Sequence, residues 1–282
     1  MVIQQHLEYL KEFAVCPWSG RGTSAWITGP GIHTGEVSRV RFHRALCEPV
    51  RLRVGNTEIP LVTDHVLDTY LATRIGLTGK TVSTIEHLLA ALYVLNHWTG
   101  FVIEVEGPEI PILDGSALGW YFALRDVPPE PMPAPITPSQ ETAAEVREGY
   151  VGLEPAKPDE PLRITVKVGF PHPKIGRQTW TGIRSDWVKL LEARTFGFSY
   201  MLDRLLSSGR GVGFDGYNAV VFDDETDDTN VPLRGKDEPV RHKALDLLGD
   251  LYLIGKPLHA HVVADGASHE AHVKFANLIR HG

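Results

Sequence analysis

The sequence predicts an α+β fold built from two related halves packed face to face, and three observations carry that expectation. Short alternating strands, such as Val40-Arg41-Phe42-His43 and Val50-Arg51-Leu52-Arg53-Val54, are interspersed with apolar helices. A helix with His87 in its first turn leads into a strand over 101–105 and a glycine-rich loop; later a helix with His242 in its first turn leads into a strand over 258–264 and another such loop. Between the two, residues 128–138 are crowded with prolines, the composition of a stiff linker.

Taken in order, residues 1–13 read as a short amphipathic helix, with Glu8, Lys11 and Glu12 among apolar neighbours. Turn-rich breaks follow at 17–22 and at Thr28-Gly29-Pro30-Gly31-Ile32-His33-Thr34-Gly35. Strands are expected at 40–43, 50–54, 56–62 and 69–75. The next helix takes Ser83 or Thr84 as its N-cap and runs to Leu95. A strand at 100–105 and a turn-rich stretch at 106–116 lead into a helix that starts at Ser116 and ends before Pro128. The second half shows strands at 150–153 and 162–168, helices at 185–193 and 200–207, a short strand at 219–222 and an acidic loop at 223–228. Then come the His242 helix, the strand over 258–264, a loop through His269 and a terminal helix over 270–280. The domain division follows: a first domain over 1–127 with an extension at about 1–22, a linker at 128–140, and a second domain over 141–282.

Composition narrows the functional classes. A formal charge of -7, with no stretch concentrating Lys and Arg away from acids, argues against a nucleic-acid partner. No apolar run reaches the 18 or so residues that would cross a membrane. The cysteines, Cys16 and Cys47, form no disulfide framework and no metal-ligand spacing, so a cytoplasmic location is expected. With 13 histidines, a metal site is worth seeking.

The helix over Pro239-Val240-Arg241-His242-Lys243-Ala244-Leu245-Asp246-Leu247-Leu248-Gly249-Asp250 sets His242, Asp246 and Asp250 four residues apart on one side. On its own that is also the pattern of a solvated helix face. If the halves meet at the helix starts, His87, His242 and Asp246 supply two imidazoles and a carboxylate and leave a fourth tetrahedral position open, as in a catalytic zinc site. Glu86, adjacent to a ligand, is placed to act as general base. His269 is a candidate acid for a leaving amine or a charged partner for an oxyanion, and Asp250 can orient an imidazole and raise its pKa.

Several blocks then stand in a telling order: Gly31-Ile32-His33-Thr34-Gly35, Ser83-Thr84-Ile85-Glu86-His87-Leu88, Pro108-Glu109-Ile110-Pro111-Ile112-Leu113-Asp114-Gly115-Ser116, Ala193-Arg194-Thr195-Phe196-Gly197-Phe198, and Val240-Arg241-His242-Lys243 with Asp246 and Gly249-Asp250-Leu251. From about Thr28 onward the chain resembles the bacterial UDP-3-O-acyl-N-acetylglucosamine deacetylases, the zinc amidases of lipid A synthesis. The resemblance implies two α/β-sandwich domains packed face to face, each with a small insertion, and an active site at their interface. It implies one Zn2+ per chain on His87, His242 and Asp246, with Fe2+ able to take the same place. Glu86 is then the base and His269 the acid or electrostatic stabiliser. Thr195 meets the scissile carbonyl, Phe196 and Leu71 contact substrate, and Lys243 meets the sugar and diphosphate. The partner implied is a small-molecule UDP-acyl-amino-sugar, and a monomer is expected. An insertion at about 194–222 would line an acyl passage; there the family commonly has a paired glycine and this chain has Gly213-Phe214, flanked by Arg210 and Asp215. Those charged groups are expected to point outward, since a buried unpaired charge costs several kcal/mol. Two alternatives stay open: a metalloamidase for a different N-acetylated amino sugar, or a non-catalytic binding protein of the same fold.

Overall fold

The protein is described by a computed structural model covering residues 22–147, 149–157 and 160–282; the helix expected over 1–13 lies outside the described residues, as does Cys16. The first half runs β1 (Ile27–Pro30), β2 (Val37–Pro49), β3 (Arg51–Val54), β4 (Thr57–Pro60), a three-stranded insertion of β5 (Val66–Asp68), β6 (Arg74–Leu77) and β7 (Lys80–Val82), then α1 (Glu86–Leu95), β8 (Thr99–Glu106) and α2 (Leu118–Leu124). The second runs β9 (Thr142–Val146), β10 (Gly149–Pro155), β11 (Arg163–Phe170), β12 (Gly176–Ile183), α3 (Trp187–Leu190), an insertion of β13 (Phe196–Phe198), α4 (Ser199–Ser207), β14 (Val220–Asp223) and β15 (Asp228–Thr229), then α5 (Glu238–Leu251), β16 (Ala260–Asp265) and α6 (His269–His281).

The internal repeat seen in the sequence is a topological one. The sheets order as β1-β2-β8-β3-β4 and β9-β10-β16-β11-β12. In each, the last strand to be made enters the centre, antiparallel to the second strand (β8 with β2, β16 with β10) and parallel to the third (β8 with β3, β16 with β11). Alternation explains how each sheet presents one face to the core: Val40 and Phe42 are buried in β2 while Arg39 and His43 are not, and β11 buries Ile164, Val166 and Val168.

Helix α1 is built of good helix formers and is buried along almost its whole length, with Leu88, Leu89 and Leu92 fully enclosed. Each such side chain contributes roughly 1.5–3 kcal/mol of burial. The helix stops at Asn96, which takes the left-handed conformation (φ 59°) suited to an asparagine C-terminal residue. Helix α5 opens with Pro239 in its first turn, where a missing N–H costs nothing. The two halves meet through α1 against α5 and through Trp98 stacked on Tyr252, their rings 4.5 Å apart and 6° from parallel.

The close approach of α1 and α5 depends on Gly249. A Cβ there would fall 2.2 Å from the Glu86 carbonyl oxygen and 2.9 Å from its carbon, backbone atoms that cannot swing aside. Gly249→Ala is therefore expected to force the helices apart and to lower unfolding stability by about 3 kcal/mol, the upper range for overpacking. Denaturant titration of both proteins checks it.

Several local expectations change. The strand expected over 69–75 begins only at Arg74: Asp68 Oδ1 accepts the Tyr70 N–H at 3.1 Å, Leu71 sits at φ 66°, and the Thr73 N–H is spent on Glu86 Oε2, so no ladder can form. Neither Ser83 nor Thr84 caps α1; Thr84, at φ 59°, gives its hydroxyl hydrogen to Glu109 Oε1 instead. The helix expected over 185–193 shrinks to a single 3-10 turn and α3. His269 is the first residue of α6 and not part of a loop. The second insertion continues past 222 to β15.

Candidate active site

Two latches bring the helix starts into position. Glu109, fully buried, accepts hydrogens from the backbones of His33 (3.1 Å) and Thr34 (2.9 Å) and from the hydroxyls of Thr34 (2.8 Å) and Thr84 (2.7 Å). This ties the glycine-rich loop to the start of α1. Gly31 is required there because a Cβ would lie 2.2 Å from Glu109 Oε2. In the second half, Glu238 accepts from Arg194 Nε (2.9 Å) and the Arg194 N–H (3.1 Å), a buried pair that lays residues 194–198 along the start of α5. Thr195 and Phe196 are thereby held beside His242, the Phe196 ring 5.9 Å from the imidazole.

His87 from α1 and His242 and Asp246 from α5 converge in the lining of a cavity of about 490 Å³, and all three are buried. Their ligand atoms lie within 4.8 Å of one another; His242 Nε2 is 3.4 Å and His87 Nε2 3.9 Å from Asp246 Oδ1. Those separations are too long for good hydrogen bonds and close to the ~3.3 Å between neighbouring ligands of a tetrahedral ion with bonds near 2.05 Å. Burial lowers the pKa of both imidazoles, His242 to about 3, so each is neutral and keeps a lone pair. His242 Nδ1 faces the Ala193 carbonyl at 3.3 Å, which puts the ring hydrogen on that side and leaves Nε2 free. Burial resists ionisation of Asp246, yet the charges of Lys243, its Nζ 2.9 Å from Oδ2, and of His269 hold the carboxyl well below the usual range. Two neutral imidazoles and an anionic carboxylate around one point fit a divalent cation.

The other predicted residues line the same cavity, except Asp250, which is fully buried behind His269. Glu86 faces His269, its Oε1 3.9 Å from Nε2, and burial pushes its pKa up to about 7, helped by the Asp250 and Asp246 charges and opposed by His269. For His269 burial favours the neutral ring, but the carboxylates of Asp250 and Glu86 outweigh it and raise the pKa to about 9. Asp250 Oδ2 lies 2.7 Å from His269 Nδ1. A carboxylate poised near neutrality thus stands opposite a cationic imidazole. Thr195, Phe196, Lys243 and Leu71 all line the cavity, with the Lys243 ammonium 5.7 Å from the centre of the Phe196 ring. His33, also in the lining, has a buried Nδ1 without a hydrogen-bond partner among the described residues.

The second insertion closes over one side. The Val212 N–H donates to the His33 carbonyl (3.2 Å) and Gly213 to that of Ile32 (3.1 Å). Arg210 reaches across to the Tyr70 carbonyl at 3.1 Å and to Asp68 at 3.6 Å. Phe214 packs on Ile32, Ile112 and Ala219, and Asp215 accepts the N–H groups of Tyr217 and Asn218. Asp215 is exposed, as expected, whereas Arg210 is only half-exposed and turns back to partners on the first insertion.

Two residues beside the site escaped the sequence reading. His272 Nδ1 lies 2.9 Å from the same Asp250 oxygen that meets His269, and the Thr73 hydroxyl donates to the other oxygen at 2.6 Å. With His269 expected in a loop, the i, i+3 spacing to His272 carried no signal. Asp250, His269 and His272 also lie within ligand distance of one another. Here, however, direct 2.7 and 2.9 Å contacts already join the carboxylate to both rings, which marks a hydrogen-bonded cluster and not an open ion site.

A family model described as UDP-3-O-acyl N-acetylglycosamine deacetylase matches residues 22–281. A UDP-3-O-acyl-N-acetylglucosamine deacetylase of Thermosynechococcus vestitus is 40% identical over 268 residues, covering 92% of each chain. One from Synechocystis is 37% identical, covering 90% of this chain and 95% of its own, and one from Aquifex aeolicus is 33% identical over 88% and 87%. A match over this span, with relatives so similar along almost their whole length, means that the chain belongs to the UDP-3-O-acyl N-acetylglycosamine deacetylase family.

Proposed function

We propose that the protein hydrolyses the N-acetyl group of UDP-3-O-acyl-N-acetylglucosamine, a lipid A precursor, to the free amine and acetate. The observation that carries this reading is the convergence of His87, His242 and Asp246 with Glu86 and His269, all buried, in the lining of one cavity. His87, His242 and Asp246 would hold a zinc ion, with iron(II) able to take the same donor set. When bound, such an ion polarises a carbonyl oxygen and acidifies water. Glu86 takes a proton from the attacking water as that water adds to the acetamide carbon. Thr195 offers its hydroxyl to the carbonyl oxygen as charge builds there. His269, cationic and braced by Asp250, gives a proton to the departing nitrogen, so that the C–N bond breaks to amine and acetate. Lys243, beside the Phe196 ring, faces the sugar and diphosphate, and Phe196 and Leu71 bound the space around the acylated sugar.

The reading divides the chain at the proline-rich linker, 128–140, into domains over 1–127 and 141–282 that share the site. Among the described residues no helix is long and apolar enough to cross a membrane. A cytoplasmic monomer acting on a small-molecule substrate is the setting proposed.

Acetate release from UDP-3-O-acyl-N-acetylglucosamine by zinc-loaded protein is the decisive assay. No release from that substrate, with release from another N-acetylated sugar, would transfer the chemistry to a different amino sugar. A pH profile adds a second test. Asp250 raises the His269 pKa, and the proton donor must be protonated, so activity falls as pH rises through that pKa. Removing the charge in Asp250→Asn lowers the pKa, and the alkaline limb of kcat/KM is expected to move to lower pH by about one unit or more.

A further inference from the structure

Asp250 is fully buried and takes hydrogens from three side chains, Thr73 in the loop before β6 and His269 and His272 on α6. His269 and His272, one turn apart at the start of α6, both direct Nδ1 at Oδ2, at 2.7 and 2.9 Å. An ionised carboxylate only accepts, so both rings carry a hydrogen on Nδ1. The Thr73 hydroxyl donates to Oδ1 at 2.6 Å, while the Thr73 backbone N–H donates to Glu86 Oε2 at 3.1 Å. Thr73 therefore braces the proposed base and the partner of the proposed acid at once.

We infer that His272, together with Thr73, is a positioning residue for the hydrolysis: the pair clamps the Asp250 carboxylate so that His269 keeps its hydrogen on Nδ1 and presents Nε2 to the cavity. The inference rests on the reading of His269 as proton donor. Without the His272 N–H, Oδ2 keeps a single donor, the carboxylate is held only by the Thr73 hydroxyl at Oδ1 and by the His269 ring itself, and that ring loses part of its fixed bearing. The clamp acts through Asp250 and His269, not on the substrate, so it governs turnover and not affinity.

The test compares His272→Leu, which fills similar space without a donor, with His272→Asn, whose Nδ2 hangs from Cγ as the imidazole Nδ1 does. The Leu variant is expected to lower kcat about 10-fold, the low end for residues that orient a catalytic group, with KM within about two-fold. The Asn variant is expected to restore kcat. In 15N-histidine-labelled protein, the hydrogen-bonded Nδ1 proton of His269 is expected in the wild type and in His272→Asn, and shifted or lost in His272→Leu. Should His272→Leu fail to fold, Thr73→Val against Thr73→Ser makes the same comparison at the other oxygen. Wild-type kcat in the donor-less variant, equal losses in the two variants of one position, or an unmoved His269 signal overturns the inference. If wild-type protein releases no acetate, the substrate reading fails instead, and the His269 signal still decides the clamp.

Discussion

Asp246→Ala is expected to strip the protein of its metal and, with it, of acetate release. Asp246 Oδ1 is the point towards which both imidazoles turn, at 3.4 and 3.9 Å, and it is the one anionic donor of the three. Two neutral rings alone bind a divalent cation weakly. The substitution also removes the 2.9 Å partner of Lys243, leaving an ammonium with its positive charge beside the vacated position, which repels a cation further. Metal content after dialysis, read by mass spectrometry, should fall to a small fraction of wild type, and kcat/KM by more than about 100-fold. Full metal content in the variant would remove Asp246 from the donor set.

Glu86→Gln should separate binding of the ion from chemistry. The glutamine can still accept the Thr73 N–H through its amide oxygen, so the loop before β6 keeps its anchor. What disappears is a carboxylate poised near neutrality, and general-base contributions are typically worth about 10²–10⁴ in rate. The expected result is wild-type metal content, a melting temperature close to that of the parent, and kcat reduced by about that factor with KM little altered. Turnover at the parental rate would assign the proton to another group.

Much of this was legible in the residues because the relevant patterns are local or repeated. Helical spacing puts His242, Asp246 and Asp250 on one side of a helix, a pattern a solvated face shares, and the ordered motif blocks are what single them out; the α1-β8 and α5-β16 echo marks the duplication even where side chains have diverged. What stayed hidden depends on contacts made far along the chain. The stretch 69–73 has the composition of a strand, but its N–H and carbonyl groups are claimed by Asp68, Glu86 and Arg210. Thr84 looks like a helix cap until Glu109, 25 residues on, takes its hydroxyl. His272 gains meaning only once α6 starts at His269.

The shared position of the donors has a thermodynamic corollary. His87 belongs to one half and His242 and Asp246 to the other, so an ion held by all three is a cross-link between the halves as well as a reagent. Linkage then couples its affinity to the seam: at free ion about 100 times Kd the assembled state gains about 2.7 kcal/mol over any state in which the halves have parted. A chelator would then remove that cross-link, and loosening the packing of Gly249 against Glu86 would weaken the apparent grip on the ion to the extent that it populates the parted state.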